Sequence, residues 1–203
     1  MARIASLEEL RTLYKPPMER AVLKELKYLD RHHKHFVALS PFLAISSTGK
    51  DGRGDVSPRG EHAGFVHALD DHRLAIPDRP GNTRLDTLTN IVANPSIGLM
   101  FMIPGVNEIL RVNGEAELRD DEELKARFVV QERPPKLVIL VNVKEAYLHC
   151  PKALMRSALW EEKTKVARSV LPSLNEMIAD QTGSTALVEP VEAALARYKS
   201  QLY

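Results

Sequence analysis

The sequence predicts a mainly β, α+β protein: a six-stranded antiparallel barrel with N-terminal, crossover and C-terminal helices. Two observations carry this. Six apolar or β-branched runs crowd residues 36–149, and helical periodicity is confined to the two ends and to short connectors. A strand-rich middle of this kind favours a small antiparallel barrel over a doubly wound parallel sheet.

In chain order, Ser6 and Glu9 form a capping-box pattern that opens a first helix, and Pro16 and Pro17 stop it near Tyr14. A second helix is expected over 17–30, with Met18, Val22, Leu26 and Leu29 at spacings of three and four. It should end in a solvated run, Arg31 to His35. Its three histidines invite a metal reading, but no carboxylate or cysteine cluster joins them. The first strand is expected over 36–47. Gly49, Gly52 and Gly54 make the following turn, and the next strand carries Val56, with Pro58 at a bulge or edge. A hairpin through Asp70, Asp71 and His72 leads into a strand over 73–77.

Leu85, Leu88, Ile91 and Val92 predict one helical face, ended by Asn94 and Pro95. Strands follow over 97–103 and 108–118, the second with Gly114 in its middle. Acidic residues 120–123 open a short helix, where the dipole favours them. The strongest strand is 137–149. Pro151 begins a helix toward Trp160, and helical pieces are expected over 173–181 and 191–201, linked through Gly183, Ser184 and Thr185. The resulting division is N-terminal helices 1–35, barrel 36–160 and helical extension 161–203.

Twenty-eight basic residues against 27 acidic leave a net charge of +1, so no clustered basic face argues for nucleic acid. The single cysteine, Cys150, cannot form an intramolecular disulfide and fits a reducing compartment. No apolar run approaches the length of a membrane span, and residues 1–17 lack a signal-peptide core. The expected location is cytoplasmic, without membrane or nucleic-acid partners.

The chemistry concentrates in residues 55–94. Two turns there carry arginines: Ser57-Pro58-Arg59-Gly60, and Asp78 through Arg84 with Arg79, Gly81 and Asn82 between. Guanidinium forks make paired bonds to phosphate oxygens, and a helix N-terminus adds backbone amides. The same residues also suit ordinary surface turns with solvated arginines. The hairpin pairing would bring Arg59 and the Arg79–Arg84 loop to neighbouring strand ends. Lys152, Arg156 and Trp160 recur every four residues, which on a helix puts two cations and an indole on one face. No Walker loop, HExxH, CxxC, GxSxG or GxGxxG pattern is present.

SPRG, GFV, IPDRPGNTRLDTLTNI, NPSIGLMFMIPG and LRVNGEAEL, followed by Cys150-Pro-Lys-Ala and Arg156 to Trp160, occur in an order that resembles the pyridoxamine 5'-phosphate oxidase-like flavoproteins. The similarity is to the branch described only as FMN-dependent, since the local motifs of the vitamin B6 oxidases are missing. The resemblance implies an FMN-binding split barrel, a homodimer with flavin at the subunit interface, and an oxidoreductase acting on a small-molecule substrate. It implies phosphate contacts from Arg59 and Arg84, with Ser57, Asn82 and Arg79 beside them. Lys152, Arg156 and Trp160 would reach the flavin, in the dimer from the partner chain. Deazaflavin is an equally accommodated cofactor type. Non-enzymatic flavin binding or sensing is the alternative function. A haem-binding relative is the other, with His62, His67 or His149 as axial ligand.

Overall fold

The computed structural model describes residues 3–184 and 189–203. Among them, seven strands form one antiparallel sheet in the order β2-β1-β5-β6-β7-β4-β3. The strands are β1 (Phe42–Thr48), β2 (Gly54–Gly60), β3 (His67–Ala68), β4 (Arg73–Pro77), β5 (Ser96–Met102), β6 (Ile109–Arg119) and β7 (Val138–His149). The strand missing from the six expected is β3, two residues whose local pattern is too short to read. Inward-facing Leu43, Ile45, Leu99, Phe101, Leu110, Val112, Ile139 and Val141 alternate along the central strands and build the core. Gly114 sits at a bulge between β6 and β7, where a Cβ would lie 2.3 Å from the Asn142 carbonyl oxygen. Only glycine fits that crossing.

The hairpin through Asp70, Asp71 and His72 forms between β3 and β4, but it does not set the Arg59 strand beside β4. β2 pairs with β1 alone, and β4 pairs with β7 and β3, so β2 and β4 share no ladder. They approach because the sheet curls, leaving β2 and β3 as unpaired edges. Pro58 lies in edge strand β2, where its missing N–H costs no ladder bond.

The largest correction falls at residues 24–41. The second helix is only α2 (Glu19–Leu23), and the histidine run starts a helix, α3 (Arg31–Leu39), instead of ending one. Asp30 Oδ1 accepts the backbone amides of His32 and His33, and His33 Nδ1 accepts the Asp30 amide, a capping box in which histidine takes the usual glutamate role. Phe36 and Val37 therefore reach the core from a helix, and the first strand begins at Phe42.

The first helix, α1 (Leu7–Thr12), is capped by Ser6 as expected. α4 (Asp86–Ala93) crosses between β4 and β5, burying Leu88 and Ile91, while Val92 faces solvent. α5 (Glu122–Ala126) precedes β7. α6 (Lys152–Ser157) ends at left-handed Ala158, short of Trp160. Two single-turn 3-10 segments lead to α7 (Leu174–Thr182) and α8 (Val191–Ser200). Of the expected link between the last two, Thr185 lies outside the described residues. No helix among the described residues is long and apolar enough to cross a membrane.

Candidate functional site: a two-arginine cleft at the open edge

Where the sheet stays open, β2 and the chain after β4 line a cleft of about 480 Å³. This is within the ~300–1,000 Å³ typical of ligand pockets. Its walls contain Ser57, Arg59, Arg79, Asn82 and Arg84, so five of the eight sequence-derived candidates converge on one place.

The arginines are not equivalent. Arg79 is clamped by Glu61: Nε lies 2.6 Å from Oε2 and Nη2 3.1 Å from Oε1, with the side chains 15% and 2% exposed. Arg59 is half-buried and donates through Nη1 to the Ser57 hydroxyl and, at 2.9 Å, to the Pro58 carbonyl. No salt bridge holds it among the described residues. Arg84 is exposed and pairs with Asp86 at 2.8 Å, a contact open to exchange in water.

The loop into α4 is shaped for close backbone approach. Asn82 Oδ1 accepts the Arg84 amide at 3.1 Å, a turn bond that leaves the helix itself uncapped. Thr83 and Leu85 both adopt left-handed φ, 63° and 60°, conformations that cost non-glycine residues roughly 1–3 kcal/mol each. Leu85 takes the N-cap position without a side-chain cap, so no capping side chain occupies the first-turn amides of α4, and Leu85, Asp86 and Thr87 line the cleft. The helix is fixed behind them by buried Leu88 and Ile91, and by Asn90 donating to the Ser47 hydroxyl at 3.0 Å.

Two wall residues escaped the sequence reading. Lys136 enters because β4 pairs with β7: Asp78 donates its amide to the Leu137 carbonyl at 3.0 Å, bringing the residue before β7 to the cleft. Glu61 is the other; its only sequence signal is its place directly after SPRG. Asp78 completes the wall. Burial pushes its carboxyl pKa up, and the nearby Arg59 and Lys136 pull it part of the way back.

Lys152, Arg156 and Trp160 do not line this cleft. Their shared helical face is also corrected: α6 ends before Trp160, whose Nε1 donates to the Val106 carbonyl at 2.9 Å and pins the chain to the β5–β6 turn. His62 contacts Glu61 at 3.0 Å, His67 stacks on Phe128 with ring centroids 4.2 Å apart, and His149 ends β7. Burial, with Arg127 nearby, lowers the His67 pKa. Cys150 is exposed.

An uncapped helix start, two arginines outside any buried ion pair and a lysine make a donor set suited to a phosphate monoester. The chain belongs to the pyridoxamine 5'-phosphate oxidase family, whose model matches residues 29–150. Among solved structures, a single-substitution variant of HupZ from Group A Streptococcus is similar at a TM-score of 0.50 and 17% identity, over 60% of this chain and 99% of that one. A Lactobacillus delbrueckii protein, provisionally described as a pyridoxamine 5'-phosphate oxidase, reaches 0.49 and 19% over 61% and 98%. An F420 reductase reaches 0.40 and 18% over 57% and 94%. At 17% identity the likeness to HupZ speaks to fold alone. A search of curated proteins gives no match.

Proposed function

We propose that the cleft binds FMN by its phosphate and that the protein is a flavin-dependent oxidoreductase of the pyridoxamine 5'-phosphate oxidase family. The observation that carries this is the convergence of Arg59, Arg84 and the uncapped first turn of α4 on one cleft. The donor set fits the group: the guanidiniums supply paired charge-assisted bonds, and the α4 amides supply partial positive charge without desolvating a further side chain. Lys136 adds a fourth source of positive charge. Ser57 holds the Arg59 fork in place.

Arg79 has a different task. With its charge met by buried Glu61, it ties the start of the phosphate loop to the end of β2 and fixes the distance between the two turns. FMN, when bound, supplies hydride or electron transfer, and the chain supplies binding, orientation and local charge. Lys152 and Arg156 would act only from a partner subunit, since they lie outside the cleft of their own chain. The substrate is a small molecule admitted beside the flavin.

The reading is tested on the protein as purified, by its absorbance spectrum and by mass spectrometry of ligand released on heating. Flavin bands with a released FMN mass support it. A colourless protein that takes up no added FMN would contradict it, and a deazaflavin mass would reassign the cofactor.

A further inference from the structure

A second cavity lies beyond the arginine cleft, where α3 packs beside edge strand β3. It measures about 430 Å³, again within the ~300–1,000 Å³ of ligand pockets. No residue lines both cavities. Phe65 lines the cleft and Val66, next in the chain, lines the second cavity, so a short stretch of backbone partitions the two.

The sequence sets its shape. Because Asp30 and His33 start α3 where they do, Lys34, Val37 and Ala38 share one helical face at spacings of three and four. Opposite them, Gly64 takes a left-handed φ of 83°, and a Cβ there would lie 3.2 Å from the Ala38 carbonyl oxygen. Glycine lets the chain run close against α3 at this point, and Val66 to Leu69 then form the facing wall. His67 is held by its stack on buried Phe128, and Arg127 enters as the residue before that ring.

The lining has a consistent chemistry. Val37, Ala38, Val66 and Leu69 supply aliphatic surface, the only polar side chains are those of Lys34, His67 and Arg127, and no lining residue is acidic. Among the described residues, neither the Arg127 guanidinium nor the His67 imidazole makes a hydrogen bond or an ion pair. Lys34 pairs with Asp71 at 2.6 Å, but the two side chains are 39% and 58% exposed, a contact that exchanges with water.

Cations beside aliphatic walls complement one class of ligand. A carboxylate accepts charge-assisted bonds from Arg127 and Lys34, and a third bond from a His67 N–H. A hydrocarbon tail takes the place of water along the walls. Inorganic phosphate would meet the cations and leave the walls wet, and a neutral hydrocarbon would do the reverse.

We propose that this cavity binds a monocarboxylate with a hydrocarbon tail, its head against Arg127 and Lys34 and its tail along Val37, Val66 and Leu69. The site is separate from the flavin cleft, and its test does not depend on the cofactor.

That test titrates octanoate into the full chain as purified, by calorimetry. Octanol, which lacks the charge, and inorganic phosphate, which lacks the tail, serve as the comparison probes. Octanoate should bind saturably, and each comparison probe roughly tenfold or more weakly. Arg127→Gln should weaken octanoate by about tenfold or more, as expected for a lost bond to a charged group. Ala38→Phe, which fills the cavity from α3, should abolish binding. Arg127 and Ala38 are both exposed, so circular dichroism should show either variant folded. A protein that takes up no octanoate overturns the proposal. So does equal binding of phosphate, which would mark an anion site only, or of octanol, which would mark an apolar surface only. Octanoate affinity that is unchanged in either variant overturns it as well.

Discussion

The two ends of one cleft use the same residue type for opposite purposes. At the inner end Arg79 is buried, bound bidentately by Glu61 and spent on holding two chain segments together. At the outer end Arg59 and Arg84 have weak or exchangeable partners and stand beside an uncapped helix start. Burial and partner, not residue identity, separate the structural cation from the binding ones. An arginine already satisfied by a 2%-exposed carboxylate gains little from a phosphate; one held by a serine hydroxyl and a carbonyl gains much.

The comparison breaks most severely at Glu61. Glu61→Gln leaves a mostly buried guanidinium without its counter-charge, and breaking such a pair costs about 3–5 kcal/mol. Urea unfolding at neutral pH should show that loss. A stability within about 1 kcal/mol of the unmodified protein, the level of an exposed ion pair, would remove the distinction between the ends.

Asp78 sharpens the comparison by a smaller amount, with a sign set by pH. Its folded pKa is raised above the ordinary 3.8, chiefly by burial. Between the two values the folded state holds the proton that the unfolded state releases, so this group's contribution to stability falls as pH rises through that window. The cost is fully present above the folded pKa and absent below 3.8. Asp78→Asn should therefore raise the melting temperature at neutral pH and give no charge-derived gain at pH values under that limit. An unchanged melting temperature at neutral pH would show that the buried charge carries no penalty.

Much of the sheet was legible because its strands alternate or run apolar over five residues or more, as β5, β6 and β7 do. Two-residue β3 offered no such pattern. Residues 31–39 misled because the helix start is made by Asp30 with His33, a capping pair whose carboxylate and imidazole read as a solvated charge run. Arg59, Arg79, Asn82 and Arg84 were found as motif residues, but their roles were not, since Glu61 meets Arg79 across 18 positions. Lys136 was invisible for a related reason: it joins the cleft only through the β4–β7 register. Lys152, Arg156 and Trp160 were grouped by extending a helix that left-handed Ala158 ends.

The most direct measurement compares FMN with riboflavin, which lacks the phosphate, binding to the unmodified protein and to Arg59→Ala by flavin fluorescence titration. Phosphate recognition at the outer end requires FMN to bind tenfold or more tighter than riboflavin, about 1.4 kcal/mol at least. Arg59→Ala should remove most of that preference, a loss of about 1.5–3 kcal/mol for a hydrogen bond to a charged group, while leaving riboflavin binding and the melting temperature nearly unchanged. Equal affinity for the two flavins, or a preference that survives the substitution, would contradict the assignment of this cleft to the cofactor phosphate.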